Sequence, residues 1–148
     1  MKICLACSAG GHLTEIMQLS SFYEKHDHYF LTFSRRDSKE LADRHRVHFV
    51  RDTSRSVPDS VISFLQSVTA FFRERPDIIV STGAGVAVPT CYLAKLARKK
   101  VVFIESFCRV DEPSLSGRMV HPVADLFLVQ WKSMLKHYPK ARYGGPVL

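Results

Sequence analysis

The sequence predicts an α/β fold: a Rossmann-like, doubly wound, mostly parallel sheet of six strands. Short apolar runs alternate with longer amphipathic stretches along the chain, the rhythm of strand–helix–strand units. Several of those runs, KICLAC at 2–7 among them, are nearly all apolar, as in strands covered on both faces by helices. Glycines cluster twice directly after such a run, in SAGGH at 8–12 and STGAG at 81–85, where a strand must turn into a helix.

Taken in order, the first strand is expected at Lys2–Cys7 and the first helix, after the glycines, at Leu13–Glu24. A second strand at Tyr29–Ser34, a helix at Ser38–Arg44 and a short strand at Val47–Val50 follow. The longest helix, Asp59–Arg75, has Pro58 at its start and Pro76 just past its end, both favourable places for proline. Strand four is expected at Asp77–Ser81, then a helix at Val86–Ala97 that tolerates Pro89 in its first turn. Strands at Val101–Glu105 and Asp125–Val129 flank a short helix near Ser116–His121, and Ser133–His137 closes the pattern. The doubly wound order 3-2-1-4-5-6 accommodates these six strands with right-handed crossovers.

A chain of 148 residues without repeats or a low-complexity linker fits one domain, 1–148. No apolar run reaches the ~20 residues of a membrane span, and no signal peptide is read at Met1-Lys2, so a cytoplasmic protein is expected. Cys4-x-x-Cys7 has the spacing of a metal or redox motif, but residues three apart on a strand point to opposite faces. Cys4, Cys7, Cys91 and Cys108 are read as reduced core cysteines. The net charge of +7 favours an anionic partner such as phosphate or an acidic membrane surface. With no zinc-finger spacing, no RNP-like strand and no long basic run, nucleic acid is not expected.

In this strand order, strands 1 and 4 are central neighbours, and their carboxyl ends open at the switch point where such sheets bind ligands. SAGGH and STGAG then face one crevice, each delivering a helix start whose free amides favour anions, a pair suited to a diphosphate. Neither turn is a dinucleotide fingerprint, and no P-loop is present. Arg35 and Arg36 stand where an acidic ribose ligand would be, which leaves an NADP-type binding module as an alternative. His12, at the mouth of strand 1, is the candidate catalytic base. Glu105, Ser106, Arg109 and Ser116, at the exit of strand 5 and beyond, are candidate polar contacts to a substrate.

AGGHLTE, STGAGVAVP, ESFCRVDEPSLSGRMVHPVADLFLVQW and YPKARYGGP together resemble the acceptor-side subunit of a two-chain glycosyltransferase family. Its eukaryotic members help add the second N-acetylglucosamine to the dolichol-diphosphate carrier, and bacterial relatives assist exopolysaccharide and capsule synthesis. The chain is similar, more distantly, to the N-terminal half of the peptidoglycan N-acetylglucosaminyltransferase, a single-chain GT-B enzyme. The resemblance implies half of a GT-B enzyme, a partner chain carrying most of the UDP-sugar site, and a lipid-diphosphate-linked saccharide as acceptor. It also implies that Ser8, Gly10 and Gly11, with Thr82, Gly83 and Gly85, line that acceptor's diphosphate, with His12 as the base. Neither a cofactor nor a metal is implied.

The family's eukaryotic members carry an N-terminal anchor that is not read here, so peripheral attachment to the inner face of the membrane is expected. In Asp59–Arg75, Val61, Leu65, Val68 and Phe72 form one stripe, and Phe64 and Phe71 widen it beyond what a simple core contact needs. WKSMLKHYPKAR, with Trp131, Leu135 and Tyr138, is a second candidate lipid surface. A scaffold that only recruits the donor chain is the alternative to a subunit that binds the acceptor.

Overall fold

A computed structural model describes residues 1–53 and 56–148. Among the described residues seven strands form one sheet in the order β3-β2-β1-β4-β5-β6-β7, every neighbouring pair parallel. They are β1 (Lys2–Cys7), β2 (Asp27–Phe33), β3 (Val47–Val50), β4 (Ile78–Gly83), β5 (Lys100–Ile104), β6 (Leu126–Val129) and β7 (Arg142–Tyr143). The first six stand in the expected order. The seventh has only two residues, too short and too polar to be read from sequence; its pairing of Leu128 with Arg142 and Val129 with Tyr143 defines it.

The helices are α1 (Gly11–Met17), α2 (Ser20–Tyr23), α3 (Arg36–Leu41), α4 (Val57–Glu74), α5 (Ala87–Leu96) and α6 (Leu115–Val120), with a 3-10 turn at Lys132–Lys136. The single helix expected at 13–24 is therefore two. Its ladder tightens where the Gln18 amide donates to the Glu15 carbonyl and the Leu19 amide to that of Ile16, three residues back instead of four.

Side chains alternate across β1, so the sheet has a core on each face. Cys4 and Ala6 join Phe103, Phe127 and Met134 on one side; Ile3, Leu5 and Cys7 join Leu13, Ile16 and Phe30 on the other. Cys4 and Cys7 are free, buried and on opposite faces, and burial pushes the Cys4 thiol up to about 12. Cys108 departs from the expected core placement and is exposed.

Helix α4 turns its small and polar residues inward. Ser63, Ser67, Ala70 and Phe71 are buried, while Val61, Leu65 and Phe72 are 53%, 57% and 62% exposed. Phe71 therefore belongs to the core and the stripe beside it does not. Among the described residues no helix is long and apolar enough to cross a membrane.

At the end of α4, Glu74 gathers Lys2 Nζ at 3.1 Å, Arg46 Nη1 at 2.8 Å and His48 Nε2 at 2.7 Å, tying the helix to β1 and β3. Burial alone would raise its carboxyl; the hydrogen bonds from His48, Lys2 and Arg46 outweigh that and lower it from 4.5 to about 2. A depressed carboxyl stabilises the fold above its unfolded value and loses that contribution as it is protonated. Stability should therefore fall as the pH drops from about 4.5 to about 2. Glu74→Gln should flatten that acid limb in denaturant titrations at a series of pH values.

Candidate functional site

Strands β1 and β4 pair with Cys7 opposite Gly83, so the two glycine turns leave the sheet side by side. Thr82 Oγ1 donates to the His12 carbonyl at 2.8 Å, binding one turn to the other. Gly83 has φ +116°, and a Cβ there would sit 3.2 Å from His12 Cε1, so glycine both permits the turn and leaves room for the imidazole. His12 Nδ1 is buried and has no hydrogen-bond partner among the described residues.

The turns border a cleft of about 520 Å³ over the carboxyl ends of the central strands. Of the residues singled out from sequence, Gly11, His12, Gly85, Ser106, Arg109 and Ser116 line it together. They come from the exits of β1, β4 and β5 and from α6. Arg109 is exposed, and Val88, Leu115 and Met119 give one side of the cleft an apolar rim.

The other expected residues stand off the cleft wall. Gly10 faces a neighbouring groove with Arg35 and Arg36, and its amide donates to Asp37 Oδ2 at 2.7 Å. Ser8 lies short of the cleft, and Thr82 and Gly83 are buried behind it. Glu105 is 1% exposed and sits beneath the cleft, where it supports the wall without reaching into it. In the groove beside Gly10, Arg35 pairs with Asp52 at 2.8 Å and Arg36 with Glu40 at 3.5 Å. A phosphate there would also meet the carboxylates of Asp37 and Glu40, which weakens the case for a 2′-phosphate site.

The Glu105 carboxylate organises what lies above it. It accepts from the Ser106 amide at 3.0 Å, the Ser114 amide at 3.1 Å, the Ser114 hydroxyl at 2.7 Å and the Tyr138 hydroxyl. Ser114 in turn caps α6 by accepting from the Gly117 amide at 2.9 Å. Ser116 Oγ, in the first turn of that helix, accepts from the Ala84 amide at 3.3 Å and so ties α6 to the second glycine turn. Burial and the hydrogen bond to Glu105 both push the Tyr138 phenol well above its ordinary value.

Sequence reasoning missed three members of this assembly. Glu15 is 3% exposed and lines the cleft; Gln130, 2% exposed, bonds to it from the end of β6. Tyr138 was assigned to a lipid-facing stretch, yet it is 2% exposed and bonded to Glu105. Trp131, placed in the same stretch, donates its indole N–H to the Phe107 carbonyl at 2.7 Å, so these two rings brace the site, whereas Leu135 stays exposed. Only the polar break of Gln130 after the apolar LFLV run offered a signal.

Residues 3–147 match the family described as oligosaccharide biosynthesis protein Alg14 like. The human protein named UDP-N-acetylglucosamine transferase subunit ALG14 is 33% identical over 181 aligned positions, spanning 100% of this chain and 83% of its own length. The mouse protein of the same name is 30% identical over 187 positions, again spanning 100% of this chain and 83% of its own. Among solved structures, Acinetobacter baumannii MurG superposes with a TM-score of 0.71 at 13% identity, covering 90% of this chain and 43% of its own. UDP-N-acetylglucosamine 2-epimerase from Rickettsia bellii gives 0.79 at 11% identity, covering 99% of this chain and 45% of its own. Those identities speak to fold alone, and this chain spans less than half of each solved chain. The expected Rossmann-like α/β fold is borne out, with a seventh strand added to the six expected.

Proposed function

This chain belongs to the family of Alg14-like oligosaccharide biosynthesis proteins, and from that membership we propose that it is the acceptor-binding subunit of a two-chain, inverting UDP-sugar glycosyltransferase. Residues 1–148 act as one acceptor-binding domain. Its acceptor is a lipid-diphosphate-linked saccharide, and a donor-binding chain brings the UDP-sugar to a shared cleft. The word "subunit" in the relatives' names supports the partner chain. The observation that carries most weight is the meeting of His12 with the sequence-distant Arg109 and Ser116 at one cleft.

Each wall has a part in that chemistry. Arg109 supplies a permanent cation and Ser116 a hydroxyl, a pair suited to phosphate oxygens, while in the first turn of α5 the Ala87 amide already donates to the Ala84 carbonyl and Pro89 has no N–H. The seven-residue α1 adds less field than a long helix would. An acceptor hydroxyl attacks the anomeric carbon, a new C–O bond forms as the bond to UDP breaks, and His12 takes the hydroxyl proton.

The subunit works at the inner face of the membrane. The outward stripe of α4 (Val61, Leu65 and Phe72) is the contact surface, flanked by the basic Arg73 and Arg75. Assay of the chain assembled with its donor-binding partner tests the whole reading. Transfer from UDP-N-acetylglucosamine is expected to an acceptor in anionic vesicles and to a short-chain soluble analogue. Leu65→Glu with Phe72→Glu should reduce the first about tenfold and spare the second. Tight binding of NADP by the chain alone, with no transfer by the pair, would overturn it.

A further inference from the structure

We infer that Glu15 is a positioning residue, one that locks the Ser106–Arg109 turn against α1 so that His12 and Arg109 are held to the same ligand. Glu15 stands one turn below His12 on α1. Its Oε1 accepts from the Ser106 hydroxyl at 3.0 Å, its Oε2 from Gln130 Nε2 at 3.0 Å, and both oxygens from the Phe107 amide at 3.2 Å. The Arg109 amide donates to the Ser106 carbonyl at 2.9 Å, closing the turn that carries the guanidinium. Fixing Ser106 and Phe107 therefore fixes where Arg109 emerges.

The chemistry of the residue favours this role over simple packing. A carboxylate 3% exposed, with no Lys, Arg or His bonded to it among the described residues, is costly to bury. Neutral donors from two other segments compensate it. A carboxylate only accepts, so it binds all three donors at once, which a glutamine of the same shape cannot do. On the opposite side of the turn the Trp131 indole holds the Phe107 carbonyl, and Gln130 Nε2 bridges Glu15 to the Glu105 carbonyl at 3.0 Å. The turn is thus clamped from both sides, and the α1 side depends on one residue.

The inference rests on the transferase reading for its ligand but not for its mechanics. Glu15→Gln in the full chain sets amide hydrogens against at least one of the three donors. Hydrogen exchange at residues 106–109 should then quicken about tenfold or more, with the core strands unchanged. In the assembled pair, acceptor KM should rise about tenfold while the UDP-sugar KM stays put, a split that mere loss of folded protein cannot give. In an Arg109→Ala background, Glu15→Gln should raise acceptor KM less than about twofold further, because both changes act through one contact.

Unchanged exchange at 106–109, or a fall in kcat with both KM values constant, would overturn the inference. If Glu15→Gln does not fold, Gln130→Met removes a donor to the same carboxylate, and the same readouts decide. Should the wild-type pair transfer no sugar, the functional reading falls, and the exchange comparison alone decides whether Glu15 holds the turn.

Discussion

Gly117→Ala is expected to cost about 2 kcal/mol of stability and to lower transfer by the assembled pair at least tenfold. The residue lies within α6, where alanine is otherwise the better helix former by about 1 kcal/mol. Space decides against it. A Cβ there would stand 2.4 Å from Glu105 Oε2, 2.5 Å from the Tyr138 hydroxyl and 2.9 Å from Ser114 Oγ.

Glu105 has little freedom to retreat, because its oxygens hold the Ser106 amide and both the amide and hydroxyl of Ser114. Overpacking of about 1–3 kcal/mol and the weakening of a buried hydrogen bond, about 1–3 kcal/mol, together exceed the helical gain. The substitution pushes α6 outward and carries Ser116 away from the Ala84 amide. Urea unfolding and the transfer assay, run on the same preparation, check both halves. An unchanged midpoint with full activity would mean that Glu105 and Tyr138 can part without consequence.

What the sequence made legible follows the physics of each signal. Strand order came through because apolar runs and βαβ handedness are local and strongly constrained. Convergence of the two glycine turns followed from that order alone, and the pairing of Cys7 with Gly83 bears it out. The Glu105 network was not legible, because its donors lie up to 33 residues away and nothing in ESFCR tells a buried carboxylate from a ligand contact. Gly10 shows the same limit: only the fold reveals that Asp37, 27 residues on, has already taken its amide. The apolar width of α4 was legible, but its orientation was not, since the inward face is built from Ser63 and Ser67. Two buried serines read as a polar face until the helix is docked.

His12→Ala should lower kcat of the assembled pair by about 10² to 10³, within the range set by general acid–base catalysis. The histidine lines the cleft next to Arg109 and Ser116, yet it differs from the bases of hydrolytic triads in one respect. There a carboxylate accepts the Nδ1 hydrogen and so presents Nε2 as the base. Here Nδ1 is buried without a partner among the described residues, and both oxygens of Glu15, the nearest carboxylate on the same helix, are bonded elsewhere. Among the described residues no carboxylate is bonded to Nδ1 to stabilise the imidazolium that proton abstraction creates. Two roles therefore separate: a base that acts unaided, or a donor that steadies a phosphate oxygen. His12→Gln distinguishes them, because an amide can donate but cannot serve as the base. If His12 is the base, the glutamine variant should be as impaired as the alanine variant. Recovery of kcat by His12→Gln to within about tenfold of wild type would move the base to the partner chain and leave His12 as a phosphate ligand.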